Sequence, residues 1–191
     1  MHVIELSGYT CSGKNTAGEM IKQACPDINI KILDMTERIL IPEAVKRGMP
    51  ITRESLRSLY VKMGISAYER LHQLAVEGGT GVLITPNGRL LATRNYFTSL
   101  GYPYTMGWVE ASEETRFSRY LRREKEGEKT IATIEDLRKI DDEDSRLTDM
   151  GKIKSGNHFD LVIDNNVDGL GNLRHELQRL NGTLLPSSIR C

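Results

Sequence analysis

The segment GYTCSGKNT, Gly8 to Thr16, follows directly on the short β-type run VIELS at 3–7 and opens a helical pattern over 14–24. In that pattern Ala17, Met20, Ile21 and Ala24 recur at spacings of three and four, one face of a helix. Gly8 and Gly13, with Lys14 after the second, match G-x-x-x-x-G-K, the pattern of a phosphate-binding loop. The order strand, loop, helix at the start of a βαβ unit is the context that makes the pattern meaningful. The inward-facing backbone N–H groups of such a loop, with a helix N-terminus behind them, cradle phosphate oxygens, and the lysine adds a point charge. Gly8 and Gly13 permit backbone angles and a close approach that a Cβ prevents. Cys11 and Ser12 lie within the loop, and Cys11 reads as a small filler residue.

The pattern departs at its last position, where Asn15 replaces the hydroxyl residue that ordinarily ligates Mg²⁺. That ion prefers oxygen donors, so either the Asn15 amide oxygen or the neighbouring Thr16 hydroxyl takes the role, with water and phosphate completing the shell.

The rest of the chain alternates in the same way. Strands are expected at 30–34, 81–85, 107–111 and 160–165, and helices at 36–47, from an N-cap at Thr52 to Glu77 with a break at Gly64, at 89–99, after Ser112, and over Leu170–Leu180. GVLIT at 81–85 lacks polar alternation, as does a strand buried on both faces of a parallel sheet. The resulting expectation is an α/β fold with a mainly parallel sheet in a single domain over 1–191. Its one interruption is the charge-dense stretch 124–156. There, a short helix is expected over 133–146, and its acidic cluster Asp141, Asp142, Glu143 and Asp144 reads as a solvated face.

Composition excludes several classes. The 191 residues carry 27% charged side chains at zero net charge, so the strong basicity of a nucleic-acid binder is absent. No run of about 18 apolar residues predicts a membrane span. The N-terminus resembles a strand and no signal segment, and Cys11, Cys25 and Cys191 show neither metal spacing nor a disulfide framework. A cytoplasmic protein is expected.

With these residues in view, the chain resembles the small P-loop kinases: nucleoside monophosphate kinases, and especially dephospho-coenzyme A kinases and their archaeal relatives. The resemblance covers most of the chain in element order, and its specific motif is the loop. It implies a three-layer P-loop NTPase fold with five mainly parallel strands, a mobile lid at about 116–156, and ATP with Mg²⁺ as phosphoryl donor. It also implies roles position by position. Lys14 and the backbone of Gly8–Thr16 hold phosphates. Asp34, at the end of KILD, either takes the proton of the acceptor hydroxyl or merely ends its strand and caps the next segment. Arg89, after the third strand, binds the acceptor's anion, joined by Arg53 and Arg57. Arg116, Arg119, Arg122 and Arg123 form a lid arm, with Arg119 and Arg123 the favoured catalytic pair. Asn165 belongs to a loop that contacts adenine. Thr85 stands where many ATPases carry an acidic residue, so the functional expectation has two branches. The first is transfer of the γ-phosphoryl of ATP to a small-molecule acceptor such as a nucleoside monophosphate or a dephospho-coenzyme A-like hydroxyl. The second is a non-catalytic or regulatory nucleotide-binding protein of the same fold. A guanine-specifying N-K-x-D is absent; NNVD at 165–168 is a distant echo of it.

Overall fold

The structure is a computed structural model that describes residues 1–122, 131–166, 171 and 173–176. Five strands, β1 (His2–Ser7), β2 (Ile30–Ile32), β3 (Val82–Gly88), β4 (Tyr104–Glu110) and β5 (Leu161–Asp164), form one sheet in the order β2-β3-β1-β4-β5. Every pairing is parallel. The central strand β1 is buried along its whole length, its polar His2, Glu5 and Ser7 included, as expected of a strand paired on both edges and covered on both faces. Side chains alternate between the two faces. Ile4, Leu6, Val82, Ile84 and Ile163 pack with α1 (Lys14–Ala24) on one side. Val3 and Leu83 pack on the other, against α2 (Ile41–Lys46), α3 (Arg53–Met63), α4 (Ile65–Glu77) and α5 (Ala92–Ser99). The expected three-layer P-loop NTPase architecture is therefore present, with the sheet wholly parallel among the described residues.

Most element boundaries lie within a few residues of the sequence reading. Thr52 does cap α3, accepting from the Ser55 backbone N–H at 3.2 Å, and Gly64, at φ +53°, separates α3 from α4. Ser112 accepts from the Thr115 N–H at 3.2 Å and starts α6 (Glu113–Arg122). Thr133 and Asp136 form a capping box at the start of α7 (Ile134–Leu147). The structure differs from that reading in four respects. The stretch 36–47 begins as a π-helical turn, Thr36–Leu40, before becoming α2, and one Asp34 oxygen accepts from both the Thr36 and Glu37 N–H groups at its start. β3 runs three residues past Thr85, and the register slips between Glu5 and Ser7, a bulge that accommodates Pro86 in a central strand. A further helix, α8 (Met150–Ser155), packs Met150 and Ile153 against Met106 and Trp108. Cys25, in the core at the end of α1, is disulfide-bonded, which corrects the expectation that the cysteines form no disulfide. The C-terminal amphipathic helix lies outside the described residues except at 171 and 173–176, where Leu173 joins the core beside α1.

The acidic cluster corrects a second expectation. Asp142 and Glu143 are exposed, but Asp141 and Asp144 are buried. With Leu137 they stand at i, i+4 and i+7, so the inward stripe of α7 continues from an apolar residue into two carboxylates.

One charge sits within the sheet itself. Glu5 on β1 is fully buried; Tyr104 donates a hydrogen bond to it, Tyr68 lies beside it and Arg94 faces it. Burial raises the Glu5 pKa to about 7. An acid whose folded pKa exceeds its unfolded value binds more protons when native, so stability falls as pH rises from about 4.5 to 7 and is level above that range. The full effect is on the order of 3 kcal/mol. Glu5→Gln, which keeps an acceptor for Tyr104, is expected to exceed the wild type in unfolding free energy at pH 8 and to match it near pH 4; denaturant titrations at both values measure the difference.

Candidate active site

All five strands end at one rim, and the residues singled out by the sequence lie on the connections that leave it. The loop after β1 has the expected backbone: Gly8 at φ +140°, Cys11 at +62° and Gly13 at +102°. Close packing explains both glycines. A Cβ on Gly8 would stand 2.5 Å from the Val109 carbonyl oxygen on β4, and one on Gly13 would stand 2.3 Å from the Asn165 amide nitrogen after β5. No acidic residue occupies the first turn of α1, so its positive end is not neutralised from within the helix. The Ser12 hydroxyl is buried in the loop without a hydrogen-bond partner among the described residues. A glycine-lined cradle, an uncapped helix start and an unpartnered hydroxyl fit a phosphate group.

The Lys14 ammonium folds across the loop and donates to the Gly8 and Tyr9 carbonyls at 2.7 and 2.9 Å. Burial, with the Arg89 guanidinium nearby, lowers its pKa to about 7. At the other end of the loop, Asn15 is exposed and its amide donates to the second Asp34 oxygen at 3.4 Å. Asp34 thus divides its carboxylate between capping the π-turn and facing the start of α1. Asn15, the half-buried Thr16 and Asp34 are all oxygen-bearing, the donor type that a hard divalent cation takes. Thr85 is fully buried in β3, its hydroxyl unpartnered among the described residues.

Arg119 and Asn165 come together behind the loop. The Asn165 amide donates to the Ser12 carbonyl at 2.7 Å, and Arg119 donates to the Asn165 carbonyl at 2.8 Å and to Ser12 at 3.3 Å. Arg116, three residues before Arg119, is 3% exposed; it pairs with Asp141 at 2.7 Å and lies over the Tyr9 ring. Arg122 is exposed and bonds Ser118. Arg123 lies outside the described residues.

Beside the loop opens a cavity of about 520 Å³ lined by Thr10, Cys11, Arg53, Tyr60, Arg89 and Asp144, among others. Arg53 donates to the Thr10 hydroxyl at 2.8 Å, tying α3 to the loop. Arg89 and Arg57 reach Asp144 at 3.0 and 2.9 Å, and Arg53 approaches it at 3.7 Å. Asn87, within β3, accepts from the Met35 N–H at 2.9 Å and fixes the connection that carries Asp34. Asn87 and Asp144 line the cavity as well, and the sequence reading assigned neither to a site. The helical spacing from Leu137 was the available signal for Asp144; none existed for Asn87, whose partner is 52 residues away.

The fold is the one that solved small P-loop kinases have. Solved structures of similar fold include TT1252 from Thermus thermophilus (TM-score 0.58, 17% identity, 96% of this chain and 98% of that one). A shikimate kinase from Bacteroides thetaiotaomicron has a TM-score of 0.57 at 17% identity, again over 96% and 98%. A gluconokinase from Sinorhizobium meliloti has a TM-score of 0.50 at 16% identity, over 96% and 95%. Among curated sequences, a UPF0200/UPF0201 protein of Archaeoglobus fulgidus is 25% identical over 174 residues, 86% of this chain. The chain spans about half the length of that relative. No family model matches.

The contact between Gly13 and Asn165 makes a direct prediction. Gly13→Ala forces a Cβ into the Asn165 amide at an unfavourable φ and is expected to cost about 1–3 kcal/mol. Adding Asn165→Ala removes the clash but leaves the backbone strain, so the double variant recovers only part of the loss; a double-mutant cycle of unfolding free energies reads the coupling.

Proposed function

We propose that this chain is an ATP-dependent phosphotransferase that moves the γ-phosphoryl of ATP to a small-molecule acceptor, working as a single P-loop kinase-like domain whose segment at about 116–156 serves as the lid. The observation that carries the reading is the opening of the Lys14 loop directly onto an arginine-lined cavity large enough for a small acceptor. In this reading the loop from Gly8 to Thr16 takes the donor phosphates, and Arg119 and Asn165 border the donor behind it. Thr16 and Asn15 hold Mg²⁺, which supplies charge neutralisation on the phosphate oxygens. Arg53 and Arg89 bind the acceptor. The free Asp34 oxygen orients or deprotonates its hydroxyl, a modest demand because phosphoryl transfer depends chiefly on positioning and electrostatics. Arg123 joins Arg119 as the second lid cation.

A panel containing nucleoside monophosphates, dephospho-coenzyme A, shikimate and gluconate identifies the acceptor class. Ligands of the native state raise Tm by mass action, so the true acceptor adds to the shift produced by ATP–Mg²⁺. ATP-dependent shifts with no transfer to any acceptor favour the regulatory nucleotide-binding branch, for which the absence of a carboxylate at Thr85 is the specific motive.

Three outcomes are expected. Lys14→Ala lowers transfer by about 10²–10³-fold with the fold intact, as loss of one charge-stabilising donor does elsewhere; unchanged turnover sinks the proposal. ATP binding at pH 8 takes up most of a proton, because phosphate restores the charge of a lysine whose pKa in the empty loop is about 7. Calorimetry in two buffers of different ionisation enthalpy measures the uptake, which Lys14→Ala abolishes. Asp34→Asn keeps the cap on the Thr36 and Glu37 N–H groups, so it leaves Tm in place while lowering kcat; a loss of Tm with kcat preserved assigns Asp34 to capping alone.

A further inference from the structure

Arg53 and Arg57 from α3, and Arg89 after β3, converge on one carboxylate, Asp144, carried by α7 across the mouth of the cavity. Its side chain is 1% exposed, whereas those of Arg53 and Arg89 remain 36% and 25% exposed toward the cavity they line. Among the described residues, the ion pairs that reach these arginines come from two carboxylates, Asp144 and the exposed Glu143, which pairs with Arg57. Among the described residues, three guanidinium charges therefore meet two carboxylate charges. The imbalance favours an additional anion.

The Asp144 oxygens have the distances of ion pairs, yet neither makes a well-angled hydrogen bond. A guanidinium fork forms its strongest contacts with two parallel N–H···O bonds. Asp144 instead spreads its two oxygens over three arginines, one of them at 3.7 Å. The arrangement satisfies charge and leaves directional bonding unused. A free carboxylate or phosphate entering from the cavity can align with Arg53 and Arg89 as a side chain fixed to α7 cannot. Exchange of one anion for another also spares the arginines the cost of losing a partner.

We propose that Asp144 is an internal occupant of the acceptor's anion subsite, and that the acceptor carries a carboxylate or phosphate group which displaces it and frees the end of α7, residues 143–147. This rests on the reading of the cavity as the acceptor site. Asp144 is a specificity residue here: a neutral acceptor leaves it paired and α7 docked, whereas an anionic acceptor releases both. The helix up to Asp141 stays anchored by Leu137 in the interior and by Asp141 on Arg116, so the displacement concerns the last turn and a half, around Asp144.

The test needs no nucleotide and no turnover. Inorganic phosphate and, separately, succinate are titrated onto Lys14→Ala, in which the loop's own anion site is weakened, and onto Lys14→Ala with Asp144→Asn. Removing the internal competitor is expected to tighten binding of at least one probe by tenfold or more, and Arg89→Leu to abolish the gain. The tighter of the two probes tells a phosphorylated acceptor from a carboxylic acid. Equal or weaker binding of both probes to a folded Asp144→Asn variant overturns the proposal and makes Asp144 a scaffold for the arginines. Should that variant fail to fold, hydrogen exchange on the wild type decides. Saturating phosphate or succinate accelerates exchange at 143–147 if Asp144 is displaced, and unchanged or slower exchange with both overturns the idea. Failure of the phosphotransferase reading is separate: it shows as absent transfer, and leaves anion binding and α7 release as measured.

Discussion

The close approach of the glycine loop to the strands beside β1 is the constraint on which the rest of the site depends. Gly8 lies against the Val109 carbonyl of β4, and Gly13 against the Asn165 side chain after β5. Because these contacts leave no space for a Cβ, the loop is seated on the sheet instead of standing free above it. The orientation of α1, the reach of Lys14 and the distance from the loop to the cavity all depend on that seating. Asn165 and Arg119 then secure the loop from behind through the Ser12 carbonyl.

Around this seat the chain has placed charge where burial makes it consequential. Glu5 lies within β1 against Tyr104 and Gly88, Asp141 pairs with Arg116 beside Tyr9, and Asp144 gathers three arginines at the cavity. Each carboxylate comes from an element distant in sequence from its partners. Such pairs are weak evidence for added stability, because desolvation offsets their attraction, but they are sensitive to the loss of one member. Their effect is to couple α6 and α7 to the loop, so that the segment after β4 is docked through charge as well as through Leu137, Met150 and Ile153.

Much of the fold was legible in the chain. Hydrophobic period, caps and glycines placed five strands and most helices, because those signals act over a few residues: Thr52 over Ser55, Thr133 over Asp136, Gly64 between two helical stripes. The misreadings arose where a distant partner overrode a local rule. Thr85 reads as the end of its strand because Pro86 comes next, yet pairing with β1 across a bulge extends the strand to Gly88. Asp141 and Asp144 looked solvated because carboxylates usually are; arginines from α3, α6 and the connection after β3 changed the balance.

Composition and pattern alone determined an α/β chain with a phosphate-type loop after its first strand, since strand, turn and helix signals are local and the glycine spacing is itself the chemistry. Only the tertiary structure decided what surrounds that loop. Asn15 faces Asp34, Asn165 supports Gly13, Asn87 fixes the approach to Asp34, and Asp144 closes the arginine cluster. These are meetings between residues brought together by a parallel sheet, whose crossover connections deliver remote segments to one rim, and no spacing along the chain encodes them.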